Sequence, residues 1–459
     1  MNKRWICFFF LISCLPAFSL KAEEGISEND LFSDEPVVVD SRKVEETSIS
    51  SNMDKERTTL SGNIYNRTLY DMQRKWVRGD AAPSVNQFFT YLEGNIFLDV
   101  RLRKGIKAFV DLSAYYSPQG QVNTVEYSQV QFTNNGIKTN KVSLLETVNT
   151  VVLFKEFFVD ANIRKAVYLR TGKQVLQWGR GYFWNPTDLI NVEKRRFLEM
   201  DRYREGTFGT KIHVPFGSSV NIYGFLDYSD VRTFNDLAVA GKVEFIIVNT
   251  EIAFSSWTKE HYLPLYGFDF STRLLTLDLY GESSFSYGEN RNKLRIVREE
   301  VPFIGNVTRY IAYREKNKWI PKVTLGLTRS FDWTIPDRIT VTGEFFYNHS
   351  GYYENMLEDR ETAQYFTASG FYEANYYSVY YGALFITVNR IFIDELSLSL
   401  NGIGNFNDKS YILSTGLNYN PTYNFTISLL VSGYMGNGNR EYTKSGNALS
   451  AEIDTAINF

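Results

Sequence analysis

The sequence predicts an all-β fold, a transmembrane antiparallel β-barrel of about 16 to 18 strands preceded by a short disordered N-terminal tail. Its strand-forming segments alternate apolar and polar residues, as in residues 106–114 and 425–432. Aromatic residues make up 16% of the chain, yet the mean hydropathy is −0.27. No apolar run after residue 22 reaches the ~18 residues of a spanning helix. The alternative is a large soluble β-protein such as a propeller or a lectin.

The first 22 residues have the features of a secretory signal peptide. Lys3 and Arg4 precede an apolar stretch, and Ala22 suits the last position before a signal-peptidase cut. A competing interpretation is a lipoprotein signal in which Cys14 is lipidated. Cys7 and Cys14 are the two cysteines of the chain, so cleavage after Ala22 leaves none. Without disulfides an exported chain needs another source of stability, which a closed barrel supplies.

Residues 23–57 are expected to form an acidic, disordered periplasmic tail, because this stretch holds eleven acidic and four basic residues. Three of the 49 basic residues and none of the 52 acidic residues lie in the signal peptide, which leaves a net charge near −6. This balance argues against nucleic acid as a partner.

The connections between the predicted strands alternate between short and long. Barrels of the outer membrane have short periplasmic turns and long outer loops, so residues 58–459 are predicted to form such a barrel with both ends inside. An even strand number follows. The count is 18 if residues 243–257 form a hairpin and 16 if they form one long strand. The long connections fall near residues 71–86, 118–140, 176–205, 288–318 and 350–375.

The last eleven residues alternate in the same way and end on an aromatic residue. Ile453, Ile457 and Phe459 share the apolar face, whereas Glu452 and Asp454 lie on the polar face. This segment resembles the C-terminal assembly signal of bacterial outer-membrane β-barrel proteins. The resemblance implies the outer membrane as the location, with its lipid and the barrel-assembly machinery as partners.

A dense motif, G-K-Q-V-L-Q-W-G-R-G-Y-F-W-N-P-T-D, occupies residues 172–188. It resembles the pattern G-[RK]-Q-x-x-x-W-G-x-G-x-x-x-N-P-T-D of porin-like outer-membrane proteins of Gram-negative and related bacteria, many of unassigned substrate. The resemblance is strongest over about residues 165–215 and is elsewhere limited to the style of the barrel. It implies a channel or transport role and names no solute.

Residues 176–205 form the third outer loop in this count, and in general porins that loop folds into the lumen and narrows it. Asn185 and Pro186 predict the start of a helix running to about Tyr203, since Asn suits the N-cap and Pro the first turn. Opposed acidic and basic rows across a pore sort solutes by charge. The alternative is that the charges coat an exposed outer helix. The constriction candidates are Arg180, Asp188, Glu193, Lys194, Arg195, Arg196, Glu199, Asp201, Arg202 and Arg204.

Charged residues of the predicted strands share one face and alternate with apolar neighbours. A basic residue facing lipid at the bilayer midplane costs about 2–4 kcal/mol, so this face should point into the lumen. There it lines the conduit or forms a solvated wall. The lumen-wall candidates are Asp99, Arg101, Lys107, Asp111, Glu156, Asp160 and Arg170.

No catalytic, metal or cofactor site is expected, and the protein is not expected to be an enzyme. The histidines His213, His261 and His349 are far apart and lack neighbours at metal-ligand spacing. The expected function is an outer-membrane porin or channel for passive or weakly selective diffusion of small hydrophilic solutes. The alternative is a non-conducting surface barrel that acts as an adhesin or receptor through its outer loops.

Overall fold

The computed structural model describes residues 57–73, 87–102, 105–133, 136–190, 206–229, 231, 233–301, 305–333 and 335–459. Its main element is a closed antiparallel barrel of 18 strands. The predicted all-β transmembrane class and the higher of the two strand counts are confirmed. The predicted signal peptide, residues 1–22, and the predicted tail up to residue 56 lie outside the described residues, and the first strand begins at Arg57.

Twenty strands lie along the described chain, and two of them, β12 and β13, form a separate hairpin. The strands are β1 (Arg57–Gln73), β2 (Gln87–Leu102), β3 (Ile106–Thr133), β4 (Gly136–Ile163), β5 (Val167–Gln174), β6 (Thr207–Phe216), β7 (Val220–Asp227), β8 (Ala238–Ile247), β9 (Thr250–Lys259), β10 (Leu265–Leu274), β11 (Leu277–Tyr287), β12 (Lys293–Val301), β13 (Gly305–Tyr313), β14 (Trp319–Trp333), β15 (Ile335–Asn348), β16 (Tyr380–Val388), β17 (Leu396–Asn405), β18 (Ser410–Thr422), β19 (Phe425–Met435) and β20 (Asn447–Asn458).

Each barrel strand pairs with the next along the chain, and β11 pairs with β14 past the separate hairpin. Residues 243–257 form the hairpin of β8 and β9, in which Ile247 pairs with Thr250. This turn decides the count in favour of 18 strands. Most of the short turns lie at one end of the barrel and most of the longer connections at the other, in line with the predicted alternation of lengths.

Two of the long connections contain regular structure, and one is shorter than expected. The predicted loop at 118–140 is wrong, because β3 and β4 stay paired from Gln121↔Val148 to Thr133↔Gly136 and extend the hairpin as a ribbon. The connection at 288–318 contains β12 and β13, and the one at 350–375 contains helix α1 (Arg360–Ala368). Among the described helices none has both the length and the apolar character needed to cross a membrane.

The two faces of the barrel wall differ in polarity, as β18 illustrates. Tyr411, Leu413 and Leu417 point outward and are exposed, whereas Ser414 and Asn418 point inward and are buried. Lipid accepts apolar side chains and penalises charged ones, so this alternation orients every strand of the sheet.

The barrel closes where β20 pairs with β1, with Asp454 opposite Arg67. The Phe459 N–H donates to the Gly62 carbonyl at 2.9 Å, and the Gly62 N–H donates to the Phe459 carbonyl at 2.8 Å. The Phe459 ring also lies against Gly62, where a Cβ would come within 2.6 Å of it. The last residue of the chain therefore takes part in the closing seam.

Candidate functional site

Residues 176–190, which we call the strap, lie inside the barrel between β5 and β6. They begin the third of the long connections, and most of their side chains are buried. Trp184 is 0% exposed and Trp178 is 6% exposed. The strap is therefore packed within the lumen along its described length and does not project from the barrel.

Glu344 of β15 fastens the middle of the strap to the barrel wall. Its carboxylate accepts the backbone N–H groups of Tyr182 and Trp184, both at 2.7 Å, and that of Phe183 at 3.1 Å. The Tyr280 hydroxyl donates to the same carboxylate at 2.9 Å. Three consecutive N–H groups form a concave anion site, and here the anion is a side chain of the wall.

Glu282 of β11 holds the two halves of the motif together. Its carboxylate accepts the Gly181 N–H at 3.0 Å and the Thr187 N–H at 3.3 Å, and it also accepts the Thr187 hydroxyl. Gly179, at φ +102°, has no room for a side chain, because a Cβ would lie 2.4 Å from the Glu282 carboxylate. The close approach of the Glu282 carboxylate therefore explains why the motif has glycine at position 179 and threonine at position 187.

Arg180 is bound by carboxylates from three adjacent strands. It contacts Glu244 of β8, Glu251 of β9 at 2.5 Å and Asp269 of β10 at 3.2 Å. The Lys242 ammonium group lies 3.9 Å from Asp269 and adds a second positive charge. A buried cation needs such pairing, because desolvation penalises an isolated charge severely.

One apolar cluster holds the two ends of the strap and a second cluster holds its middle. Leu176, Trp178 and Ile190 pack against Tyr223 and Phe225 of β7. Phe183 and Trp184 belong to a second cluster on the opposite part of the wall, which also contains Phe346, Tyr376, Tyr381, Ala383, Phe385, Ile403, Ile412, Tyr434 and Tyr442.

The Trp184 indole N–H donates to the Asn375 carbonyl at 3.0 Å, so the strap also contacts the outer loop that follows β15. The strap therefore follows the wall from β7 to β19. These contacts of the strap lie on β7–β11, on β15 and in the cluster that extends to β19.

The helix predicted to start at Asn185 and Pro186 is wrong over the described residues. The chain makes one turn there, in which the Asp188 N–H donates to the Asn185 carbonyl at 3.1 Å. The Asp188 carboxylate accepts the Trp178 N–H at 3.3 Å, and Glu282 accepts the Thr187 N–H. These longer-range bonds occupy the groups that would otherwise begin and cap a helix.

Two of the ten constriction candidates fall on described residues, and both are engaged by the protein itself. Arg180 is 7% exposed and is bound by its three carboxylates. The Asp188 carboxylate accepts the backbone N–H of Trp178 within the strap. The remaining eight lie outside the described residues, namely Glu193, Lys194, Arg195, Arg196, Glu199, Asp201, Arg202 and Arg204.

Four of the seven lumen-wall candidates lie side by side in one row of the sheet. Arg101 is opposite Lys107, Lys107 is opposite Asp160, and Asp160 is opposite Arg170. The row continues to Arg57 on β1, opposite Arg101, and to Lys211 on β6, opposite Arg170. We call these six residues the basic rung, because five of them are basic: Arg57, Arg101, Lys107, Asp160, Arg170 and Lys211.

Two carboxylates neutralise part of the rung. The Asp99 carboxylate forms ion pairs with Arg101 and Lys107, each at 3.1 Å, and the Asp160 carboxylate forms one with Arg170 at 2.6 Å. In each pair the basic side chain is about as exposed to solvent as the carboxylate or more exposed. The side chain of Arg170, for example, is 25% exposed and that of Asp160 is 8% exposed. The rung therefore presents mainly positive groups to the inner end of the lumen.

The other two lumen-wall candidates, Asp111 and Glu156, are neighbours across β3 and β4. The Glu156 carboxylate accepts the Val175 N–H at 2.7 Å, so it fixes the point where the strap leaves β5. Beside it Lys155 sits in a β-bulge, which turns its side chain inward to bind Glu93 at 2.9 Å.

Sequence reasoning missed the residues that hold the strap. Glu244, Glu251, Asp269, Glu282 and Glu344 are all acidic residues on the inward face of a strand. The alternation that selected Asp99 and Asp111 marks them equally well as inward. Alternation does not reveal that a loop distant in sequence binds them.

Outer loops cover the strap on the side of β15–β20. The Glu441 carboxylate accepts the Asn375 N–H at 2.6 Å, the Asn405 amide at 2.7 Å and the Tyr381 hydroxyl at 2.9 Å. Its own N–H donates to Asp408 at 2.8 Å. Burial, together with the Asp408 carboxylate, raises the pKa of Glu441 to about 7. Leu294 of β12 and Phe366 of α1 pack in the adjoining apolar cluster.

Ile453, Ile457 and Phe459, the predicted assembly signal, are exposed on the outer face of β20 and its end, at 51%, 50% and 62%. Among the described residues no group of three or more His, Cys, Asp or Glu side chains is arranged to hold a metal ion.

Several solved structures of bacterial proteins have a similar fold. Acinetobacter baumannii OccAB1 is 12% identical with a TM-score of 0.50, and the match covers 87% of this chain and 96% of that one. Pseudomonas aeruginosa OpdQ is 8% identical with a TM-score of 0.49 over 88% and 97% of the two chains. Pseudomonas aeruginosa OccK2, solved in complex with glucuronate, is 7% identical with a TM-score of 0.46 over 88% and 98%.

No protein-family model matches the sequence, and no curated protein matches it either. At these identities the likeness to OccAB1 shows a shared fold. This chain therefore shares the barrel fold of that protein, whereas its function depends on its own residues.

Proposed function

We propose that this protein is an outer-membrane channel through which small hydrophilic solutes diffuse, with the third outer loop as its constriction. One observation carries the proposal: residues 176–190 lie inside a closed barrel of 18 strands and are fastened there by Glu344, Glu282 and Arg180. A barrel of this width leaves an aqueous lumen unless something fills it. A loop held against one part of the wall narrows that lumen.

The inward face of the wall supports passage of polar solutes. Buried polar and charged residues line it on strands from β1 to β20, for example Asn63, Glu93, Ser284 and Asn401. Because the described strap contacts β7–β19, we place the remaining passage beside β20 and β1–β6. The basic rung lies on that part of the wall.

The selectivity of such a channel would depend on charges that water can reach. Arg180 is occupied by three carboxylates, so we assign it a positioning role for the strap. We assign the bias among solutes to the basic rung and to the charged residues 193–204. The rung has more bases than acids and favours anions over cations of equal size.

Liposome swelling tests this function directly. Liposomes that contain the refolded protein should swell in neutral sugars at a rate that falls steeply with sugar size. Empty liposomes and liposomes with heat-unfolded protein are the controls. A folded barrel that admits none of these sugars would contradict the channel and favour a closed surface barrel.

A further inference from the structure

The basic rung contains like charges in direct opposition. Arg57 faces Arg101, and Arg101 faces Lys107, on adjacent antiparallel strands. Like charges directly opposite each other on one face of a sheet repel and destabilise the pairing. Asp99 relieves part of this repulsion. A row that keeps such repulsion is well suited to bind an acidic group.

The turn between β4 and β5 adds two further bases at the same end of the barrel. Arg164 and Lys165 are exposed and adopt φ of 55° and 56°. A two-residue turn with both φ angles positive normally takes Asn or Gly, because other side chains are strained there. Two strained basic residues therefore occupy positions that a neutral Asn-Gly pair would fill with less strain.

An acidic segment of this same chain begins where the rung begins. Residues 23–56 contain eleven acidic and three basic residues, and Glu56 is bonded directly to Arg57, the first residue of the rung. The rung crosses six adjacent strands, a distance of roughly 24 Å at about 4.8 Å per strand spacing. A chain covers that distance with about eight extended residues, so the segment is long enough to reach every base of the rung.

We propose that the acidic segment 23–56 docks on the basic rung and on Arg164 and Lys165 of its own barrel. Docked there, the segment neutralises basic groups of the inner wall. The binding itself stands apart from the proposed function, whereas its effect on passage rests on that function.

Zero-length carbodiimide cross-linking of the refolded full chain tests the docking. This reagent joins carboxylates to amines that are in contact, and mass spectrometry identifies the joined residues. We expect amides between acidic residues of 23–56 and Lys107, Lys165 or Lys211, and we expect them to disappear at about 1 M salt, where charges are screened within about 3 Å. Lys316 and Lys409, exposed on outer loops, are the matched control lysines.

The docking would be overturned if the segment formed no cross-links, or if its cross-links were spread evenly over Lys107, Lys165, Lys211 and the two control lysines. Cross-links to Lys107 that persist unchanged after Glu45→Gln, Glu46→Gln, Asp54→Asn and Glu56→Gln replacements combined with Arg164→Gln and Lys165→Gln would also overturn it. An anionic solute or lipid head group as the true occupant would show itself by blocking Lys107 against an added amine-reactive label while the segment stays unlinked.

Channel recordings separate this proposal from the proposed function. The four neutralising replacements in the segment should increase the anion preference of the channel at low salt, because the rung is then no longer neutralised, and leave it unchanged at about 1 M salt. A chain that conducts and shows no cross-links to Lys107, Lys165 or Lys211 contradicts the docking alone. A chain that shows the cross-links and never conducts contradicts the channel alone.

Discussion

Arg67 of the first strand and Asp454 of the last strand form a bidentate ion pair across the seam that closes the barrel. The Arg67 Nε lies 2.5 Å from Asp454 Oδ1 and its Nη2 lies 2.8 Å from Oδ2. Glu452 of the same last strand lies 2.9 Å from the guanidinium. The first and last strands of the barrel thus meet in one buried cluster inside the wall.

Replacing Arg67 should weaken the seam strongly. Arg67→Met leaves Asp454 and Glu452 buried without their cation, which should lower the free energy of unfolding by about 3–5 kcal/mol. A urea titration of the refolded protein in detergent measures this. Lys316→Met removes an exposed base and should change stability by less than about 0.5 kcal/mol. Equal stability of the two variants would show that the ion pair does not hold the seam.

Deleting Phe459 should reduce the yield of folded barrel. The deletion removes two backbone hydrogen bonds to Gly62 and the ring packed on it. Heat-modifiable migration on a gel measures the folded fraction after assembly in membranes. Phe234→Ala removes a ring that is 94% exposed in an outer loop and serves as the control. If both variants assemble like the parent chain, the terminal strand is not the assembly signal.

Removing the Glu344 carboxylate should release the strap. In Glu344→Ala three backbone N–H groups of the strap lose their acceptor, at a cost of about 1–3 kcal/mol for each group left buried. Liposomes with this variant should admit larger sugars than the parent does. Thr342→Ala, two residues away on the same face of β15, is the matched control and should keep the parental size limit. An unchanged limit in Glu344→Ala would remove the strap from the constriction.

The arginines beyond the strap should influence ion preference. The triple replacement Arg195→Ala, Arg196→Ala and Arg202→Ala removes three positive charges and should raise the cation preference of the channel. The reversal potential in a salt gradient across a planar bilayer measures this. The same three-charge change on exposed outer residues, Lys316→Ala, Lys318→Ala and Lys409→Ala, is the control. If both triple variants shift the potential equally, the loop holds no special position in the pore.

Glu441 should make the outer loops sensitive to pH. Its pKa in the folded state is raised to about 7 from 4.5, so loss of its proton weakens the folded loops. The stabilisation is complete below about pH 4.5 and disappears as the pH rises through about 7. Protease cleavage of the loops should therefore be faster at about pH 8 than at about pH 6.

Glu441→Gln is the control for this pH effect, because it keeps the shape and removes the titration. The neighbouring groups Asp408, Tyr372 and Lys444 remain unchanged in it. A cleavage rate in Glu441→Gln with the same pH dependence as in the parent would assign the effect to another group.

The fold could be predicted because its determinants are local. Alternation of apolar and polar residues gives the face of each strand, and connection lengths give the side on which each loop lies. The sequence did not decide whether residues 243–257 form one strand or a hairpin. Val248 occupies the turn at φ 59°, where Gly or Asn would have been the usual sign of a turn. The ribbon at 118–140 was missed because its polar residues resemble a loop.

The candidate site could be predicted only in part. Alternation placed Arg101, Lys107 and Arg170 on the inward face, but it carries no information on the register that aligns them in one row. The carboxylates that hold Arg180 come from three adjacent strands, β8, β9 and β10, and lie 64 to 89 residues later in the sequence. The prediction of a helix at Asn185 was wrong for a similar reason. Glu282, about a hundred residues away in sequence, accepts the Thr187 N–H that a local helix cap would have bound.

Single-channel recording of the refolded full chain in a planar bilayer tests the central claim most directly. An 18-stranded barrel narrowed by the strap predicts stable, uniform conductance steps with a reproducible ion preference. A barrel that is folded by heat-modifiable migration, inserts into the bilayer and yet conducts no ions would contradict the account.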